Sequence, residues 1–101
     1  MKFGLNEIII TQIKEVFFKY SQVESAIIYG SRAKGNYKNG SDIDLTLIGK
    51  NLNLDVINKI SWDLDDLMLP YTFDLSIYRQ IKDPGMLNHI KRVGINFYEL
   101  K

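Results

Sequence analysis

Three aspartates stand out for what their type and spacing could do. Asp42 and Asp44 lie one residue apart in a segment that alternates cleanly, with Asp42, Asp44 and Thr46 set against Ile43, Leu45 and Leu47. Period-two alternation predicts a strand over 42–48 that carries both carboxylates on one face. A second such segment, Thr72 to Tyr78, sets Thr72, Asp74 and Ser76 against Phe73, Leu75 and Ile77. If the two strands are neighbours, Asp42, Asp44 and Asp74 converge on the same open surface. Carboxylates gathered in this way repel one another, and a protein keeps such a group when a divalent cation neutralises it. Ligation by aspartate oxygen alone favours Mg²⁺ or Mn²⁺ over zinc. An i, i+2 pair on a strand could bridge two ions roughly 3.5–4 Å apart, a spacing that suits nucleotide phosphates.

Gly30-Ser31 adds the second half of such a site. The pair directly follows the apolar run Ala26-Ile27-Ile28-Tyr29, short enough for a buried strand. Glycine there lets backbone N–H groups approach a phosphate closely, and serine adds a hydroxyl donor. A Gly-Ser dipeptide alone carries no information; its weight comes from the Asp-x-Asp downstream. Arg32 and Lys34, just beyond it, suit either phosphate binding or simple solvation. Alternating aspartates can also be an ordinary solvated strand face, and Asp74 rests on its strand pattern alone. His89, the only histidine, has no partner in sequence and is expected at the surface or at a helix cap. Trp62 and the phenylalanines are expected in the core. Asp63, Asp65 and Asp66 point to different sides of a predicted helix and are expected to be solvated.

The elements that must hold these residues alternate along the chain. Leu5, Ile9, Ile13, Val16, Phe17 and Tyr20 recur at helical spacing. A strand over 23–29 follows, then a loop over 30–40 rich in Gly, Asn, Ser and Lys with room for one helical turn. After the 42–48 strand, Asn53 is placed to cap a helix, Asp55 lies in its first turn, and Leu54, Ile57, Ile60, Leu64 and Leu67 form its core stripe. Pro70 marks its exit. The strand over 72–78 precedes a last helix announced by Asp83-Pro84. That helix runs to about Val93, with Gly94 suited to a left-handed C′ position. Ile95 to Leu100 is a short strand or a docked tail. The predicted fold is α/β (α+β), a small mixed sheet flanked by helices and formed by residues 1–101 as one domain.

Composition narrows the function. With 13 basic and 12 acidic side chains the net charge is +1, which argues against direct nucleic-acid binding, since a phosphate track needs a clear excess of Lys and Arg. No cysteine is present, so disulfides and thiolate metal sites are excluded. The start lacks the long apolar stretch of a signal peptide, and no apolar segment is long enough to span a bilayer. A cytoplasmic protein is the expectation, and nothing in the sequence decides against a homo-oligomer.

Gly30-Ser31, ten intervening residues and then Asp42-Ile43-Asp44 resembles the Gly-Ser-x10-Asp-x-Asp motif of the polymerase-β-like nucleotidyltransferase superfamily. The local text Gly30-Ser31-Arg32-Ala33-Lys34-Gly35, closing with Ser41-Asp42-Ile43-Asp44-Leu45, is most similar to its MNT (minimal nucleotidyltransferase) branch. The resemblance covers nearly the whole chain, and its one mild departure is Lys34, where arginine is frequent. It implies a palm fold, with Asp42 and Asp44 as metal-bridging catalytic aspartates and Asp74 as the third carboxylate, contacting the catalytic metal. It further implies Gly30, Ser31 and Arg32 as nucleotide-binding residues, two Mg²⁺ ions (or Mn²⁺), and ATP or another NTP as donor of a nucleoside monophosphate. Larger members add domains that hold the acceptor, whereas these 101 residues are taken up by the palm. The acceptor hydroxyl is therefore expected on a separate protein, a helical HEPN-type toxin modified on tyrosine, for which this chain would be the antitoxin. The alternative is a non-catalytic module that masks the HEPN partner.

Overall fold

Asn6 opens the first helix. In the computed structural model, which describes residues 1–100, its side-chain oxygen accepts the Ile9 backbone N–H, and α1 runs Glu7–Phe18. Strand β1, Ser25–Tyr29, leads directly into the one-turn helix α2, Gly30–Lys34. Strand β2, Ile43–Ile48, is followed by α3, Leu54–Asp65, capped by Asn53 as its composition predicts. Strand β3, Phe73–Ile77, ends in a 3-10 turn, and α4, Pro84–Val93, starts from the expected Asp83-Pro84 cap. The last segment is a strand, β4, Ile95–Glu99.

The four strands lie in the order β3-β2-β1-β4. Strand β1 is antiparallel to both β2 and β4, whereas β2 and β3 are parallel. Parallel neighbours need a crossover, and α3 supplies it. One sheet face, with Ala26, Ile28, Ile43, Leu45 and Leu47 fully buried, packs beneath Ile13 and Phe17 of α1 and Val56, Ile60 and Leu64 of α3. Register places Ile27 beside Thr46, Tyr29 beside Asp44, Asp44 beside Asp74 and Thr46 beside Ser76 on the opposite face.

Several sequence expectations are corrected by the packing. The α3 stripe is rotated: Val56 is buried and Leu54 is 70% exposed, because the helix turns its Val56-Ile60-Leu64 ridge to the sheet. Trp62 and Phe18 are not core residues but stand 67% and 70% exposed on the outer sides of α3 and α1. Asp63 is partnered: it accepts from the Tyr20 hydroxyl at 2.5 Å and pairs with Lys19 at 3.3 Å, tying α3 to α1. Gly94 is extended, at φ −63°, and not left-handed. Its lack of a side chain serves close approach, for a Cβ there would lie 2.8 Å from Ile27 Cγ2 and 2.4 Å from the Ile90 carbonyl oxygen. That contact seats α4 on the polar face of β1. The polar face is consequently only partly open, and Thr46 is fully buried. Among the described residues no helix is long and apolar enough to cross a membrane.

Candidate active site

The site begins where β1 becomes α2. Tyr29 is extended, and Gly30 then turns the chain at φ +73°, a conformation that side chains with a Cβ rarely adopt. Space demands glycine as strongly as the backbone does. A Cβ on Gly30 would sit 2.2 Å from Oδ2 of Asp44, so the turn is pressed directly against that carboxylate. Ser31 follows in the first turn of α2, half-buried, and its carbonyl accepts from the Gly35 and Asn36 N–H groups at 2.9 and 3.2 Å.

Parallel pairing of β2 and β3 sets Asp44 and Asp74 at the same register position, so the two carboxylates lie side by side on the polar face. Asp44 is half-buried; Asp74, on the edge strand, and Asp42, just ahead of β2, are exposed. Burial, the largest effect, pushes the Asp44 carboxyl above its ordinary pKa, and the charges of Asp74 and Asp42 push it further. His89 and Arg32 act in the opposite direction. Gly30 and Asp74 thus lie against Asp44, the charge of Asp42 reaches it, and Ser31 follows Gly30 in the first turn of α2.

Arg32 departs from its expected role as a nucleotide contact. It is only 3% exposed. Its Nε and Nη2 donate to the Ser41 carbonyl at 3.1 and 2.9 Å, and Nη1 donates to the Phe3 carbonyl at 2.9 Å. The guanidinium also lies over the rings of Tyr37 and Tyr71, 5.3 and 4.9 Å from their centroids. With three of its five N–H donors engaged, its faces stacked on rings and its side chain buried, this guanidinium is held as a loop brace. Its work is to hold the 35–41 loop, and with it the entry to Asp42.

Two residues at the site escaped sequence reasoning. His89 on α4 stands edge-on to the buried ring of Tyr29, with centroids 6.1 Å apart. Burial raises the Tyr29 phenol pKa; the nearby Ser76 hydroxyl opposes this, and Asp74 and Asp44 add to it. Tyr29 was legible as the last strand residue before Gly30, but its register opposite Asp44 was not. His89 carried no signal, because α4 reaches the site only through its packing on α2 and β1.

A divalent cation fits the donor set. The three carboxylates offer oxygen only, and Asp44 feels both neighbours. Among the described residues no group of three or more His, Cys, Asp or Glu side chains is placed to hold a metal ion by itself. A Mg²⁺ ion is commonly held by one or two carboxylates together with waters and substrate phosphates.

Sequence comparison decides the family. The family described as "Polymerase beta, Nucleotidyltransferase" matches residues 11–101. This chain belongs to it. The nucleotidyltransferase fold is also found among solved structures. A toxin-antitoxin structure with AMP-PNP aligns at a TM-score of 0.71 and 17% identity, over 96% of this chain and 76% of that one. The MntA-HepT toxin-antitoxin aligns at 0.69 and 12% identity, over 94% and 74% of the two chains. So does a tri-AMPylated Shewanella oneidensis HEPN toxin in complex with MNT antitoxin, at 0.69 and 12%, over 95% and 74%. At these identities the likeness is one of fold. Comparison with curated proteins by sequence found no match.

Proposed function

We propose that this nucleotidyltransferase domain, residues 1–101 acting as one minimal unit, moves a nucleoside monophosphate, AMP in the first instance, from an NTP to a hydroxyl on a partner protein. The observation that carries this is the juxtaposition of Asp44 with Asp74 against the Gly30 turn. Asp42, Asp44 and Asp74 are the residues that would hold Mg²⁺ or Mn²⁺. When bound, such ions neutralise phosphate charge and favour the ionised form of an attacking hydroxyl.

The protein's own residues supply the positioning. The Gly30 turn and the Ser31 hydroxyl would contact the outgoing phosphates, with Arg32 fixing the loop beside them. In the transfer, the acceptor oxygen bonds to the α-phosphorus and the bond from that phosphorus to pyrophosphate breaks. The hydroxyl proton passes to Asp74 or to water. Alignment of the two reactants provides most of the rate, since little covalent chemistry falls to the side chains.

The partner we infer is a HEPN-type toxin, neutralised in the cytoplasm. Support comes from structures of the same fold described as MNT–HEPN complexes, one of them with an AMPylated toxin, and from a near-neutral charge that offers no nucleic-acid track. The test uses ATP labelled at the α- or γ-phosphate, Mg²⁺ and a lysate of the source cells. Label should reach protein from the α-position only, and Asp44→Asn should abolish it. Transfer from the γ-position would replace this reaction with phosphoryl transfer.

A further inference from the structure

A hollow of about 570 Å³ opens between the N-terminal turn, the first half of α1, the end of α2 and β4. Neither Gly30, Ser31 nor any of the three aspartates lines it. Its volume falls within the range of small-ligand sites, roughly 300–1,000 Å³. Two departures from regular backbone shape it. Phe3 and Gly4 both take positive φ, +58° and +72°, in a turn closed by the Lys2–Leu5 bridge. A bulky residue with a Cβ seldom adopts that conformation. On the other wall Ala26 pairs with Tyr98 and Ile27 with Asn96, so Phe97 is the extra residue of a β-bulge. A bulge re-aims a side chain. Both irregularities bring a phenyl ring to the same hollow, with centroids 6.0 Å apart, and the ring of Tyr37 joins them.

The charges around these rings do not balance. Lys2, Lys14 and Arg32 line the hollow against the single carboxylate of Glu7. Among the described residues neither lysine nor Arg32 pairs with a carboxylate. The Lys14 ammonium stands instead over the Phe97 ring, 5.8 Å from its centroid. Arg32 is buried, yet its hydrogen bonds go only to uncharged carbonyls. A buried cation without a counter-charge is unfavourable, and an anion beside it offsets that penalty. Three rings in the walls then favour an aromatic body on that anion.

We infer that this hollow binds a small organic anion built on a flat aromatic group, its charge toward Lys2 and Lys14 and its ring against Phe3 and Phe97. An aryl carboxylate and a mononucleotide share that chemistry. Arg32 ties the hollow to the loop before Asp42, but binding there requires no nucleotide transfer.

The full chain, labelled at its isoleucine methyl groups and kept in EDTA so that the carboxylates hold no Mg²⁺, carries its own probes. Ile10 and Ile95 line this hollow, whereas Ile57 and Ile81 line another beside β3. Titration with benzoate should shift Ile10 and Ile95 saturably and leave Ile57 and Ile81 in place. Benzyl alcohol, which lacks the charge, and cyclohexanecarboxylate, which lacks the aromatic ring, should each bind roughly two- to tenfold more weakly. Lys14→Gln should weaken benzoate roughly two- to fivefold and leave the alcohol unchanged, with the Ile57 and Ile81 signals reporting an intact fold. AMP that displaces benzoate identifies a nucleotide as the natural source, and AMP that leaves it in place identifies a carboxylate. No saturable shift at Ile10 and Ile95, equal binding of benzoate and its alcohol, or a benzoate affinity unaltered by Lys14→Gln would each overturn the inference.

Discussion

At Gly30 a single methyl group would meet two obstacles. The backbone is left-handed, which costs roughly 1–2 kcal/mol for a residue with a Cβ, and the added carbon would overlap the Asp44 carboxylate. Gly30→Ala should therefore lower stability by more than the backbone cost. Adding Asp44→Gly should restore only the steric part, a coupling that a double-mutant cycle of thermal melts resolves. Asp44 itself has a folded pKa above its ordinary value, chiefly through burial. A raised carboxyl pKa means that the ionised form opposes folding, so the contribution of Asp44 is fully present below the ordinary carboxyl pKa and is lost as pH rises through the folded pKa. In metal-free buffer Asp44→Asn should melt higher than wild type at neutral pH, and the gap should close below about pH 4. A variant that melts lower throughout would assign Asp44 a structural role. At this scale the sequence was legible where chemistry is local: the Asp-x-Asp spacing and the Gly-Ser pair needed no distant partner. Arg32 was misread because the carbonyls and rings that occupy it belong to Phe3, Ser41, Tyr37 and Tyr71, which only the fold brings together.

Between elements, α1 and α3 are joined by a polar contact that the hydrophobic pattern does not show. The Tyr20 hydroxyl donates to Asp63, which holds the Tyr20 pKa up at about 12 and depresses that of Asp63. The bond requires a protonated phenol, and it is strongest when the carboxylate is ionised. Its contribution is present above the ordinary carboxylate pKa, near 4, and below the ordinary phenol pKa, near 10. It is lost as pH falls through the depressed Asp63 value or rises through that of Tyr20. Tyr20→Phe should cost about 0.5–1.5 kcal/mol at pH 7 and clearly less once Asp63 is protonated, as chemical denaturation at the two pH values would show. Equal losses at both would leave only packing. Element existence and order were readable because caps and periodicity are local: Asn53 and Asp83 cap their helices as expected. Helix rotation was less so. Leu54 and Val56 both fit a helical stripe, and the choice between them is made by the sheet beneath. The exposed Trp62 has the same origin.

For the whole molecule, the sheet order β3-β2-β1-β4 puts the exposed Asp74 on an edge strand, where a second protein can reach it. That β2 and β3 would be neighbours was an assumption of the sequence reading, and the crossover through α3 fulfils it. The seating of α4 over part of the polar face was not readable, because Gly94 meets Ile27 across 67 residues of chain. In the proposed reaction the triphosphate and the acceptor hydroxyl must meet at Asp44 and Asp74. Such an arrangement transfers efficiently only if the acceptor is held in line, since an error of about 1 Å can cost roughly a hundredfold. The most direct test is therefore the intact mass of the acceptor. A HEPN-type protein from the same source would be co-expressed with the wild type or with Asp44→Asn and weighed after purification. An AMP-sized increment with the wild type, absent with Asp44→Asn, is the expected result. A partner that binds tightly yet stays unmodified with Mg²⁺ and every nucleoside triphosphate would contradict transfer and leave a module that acts by masking.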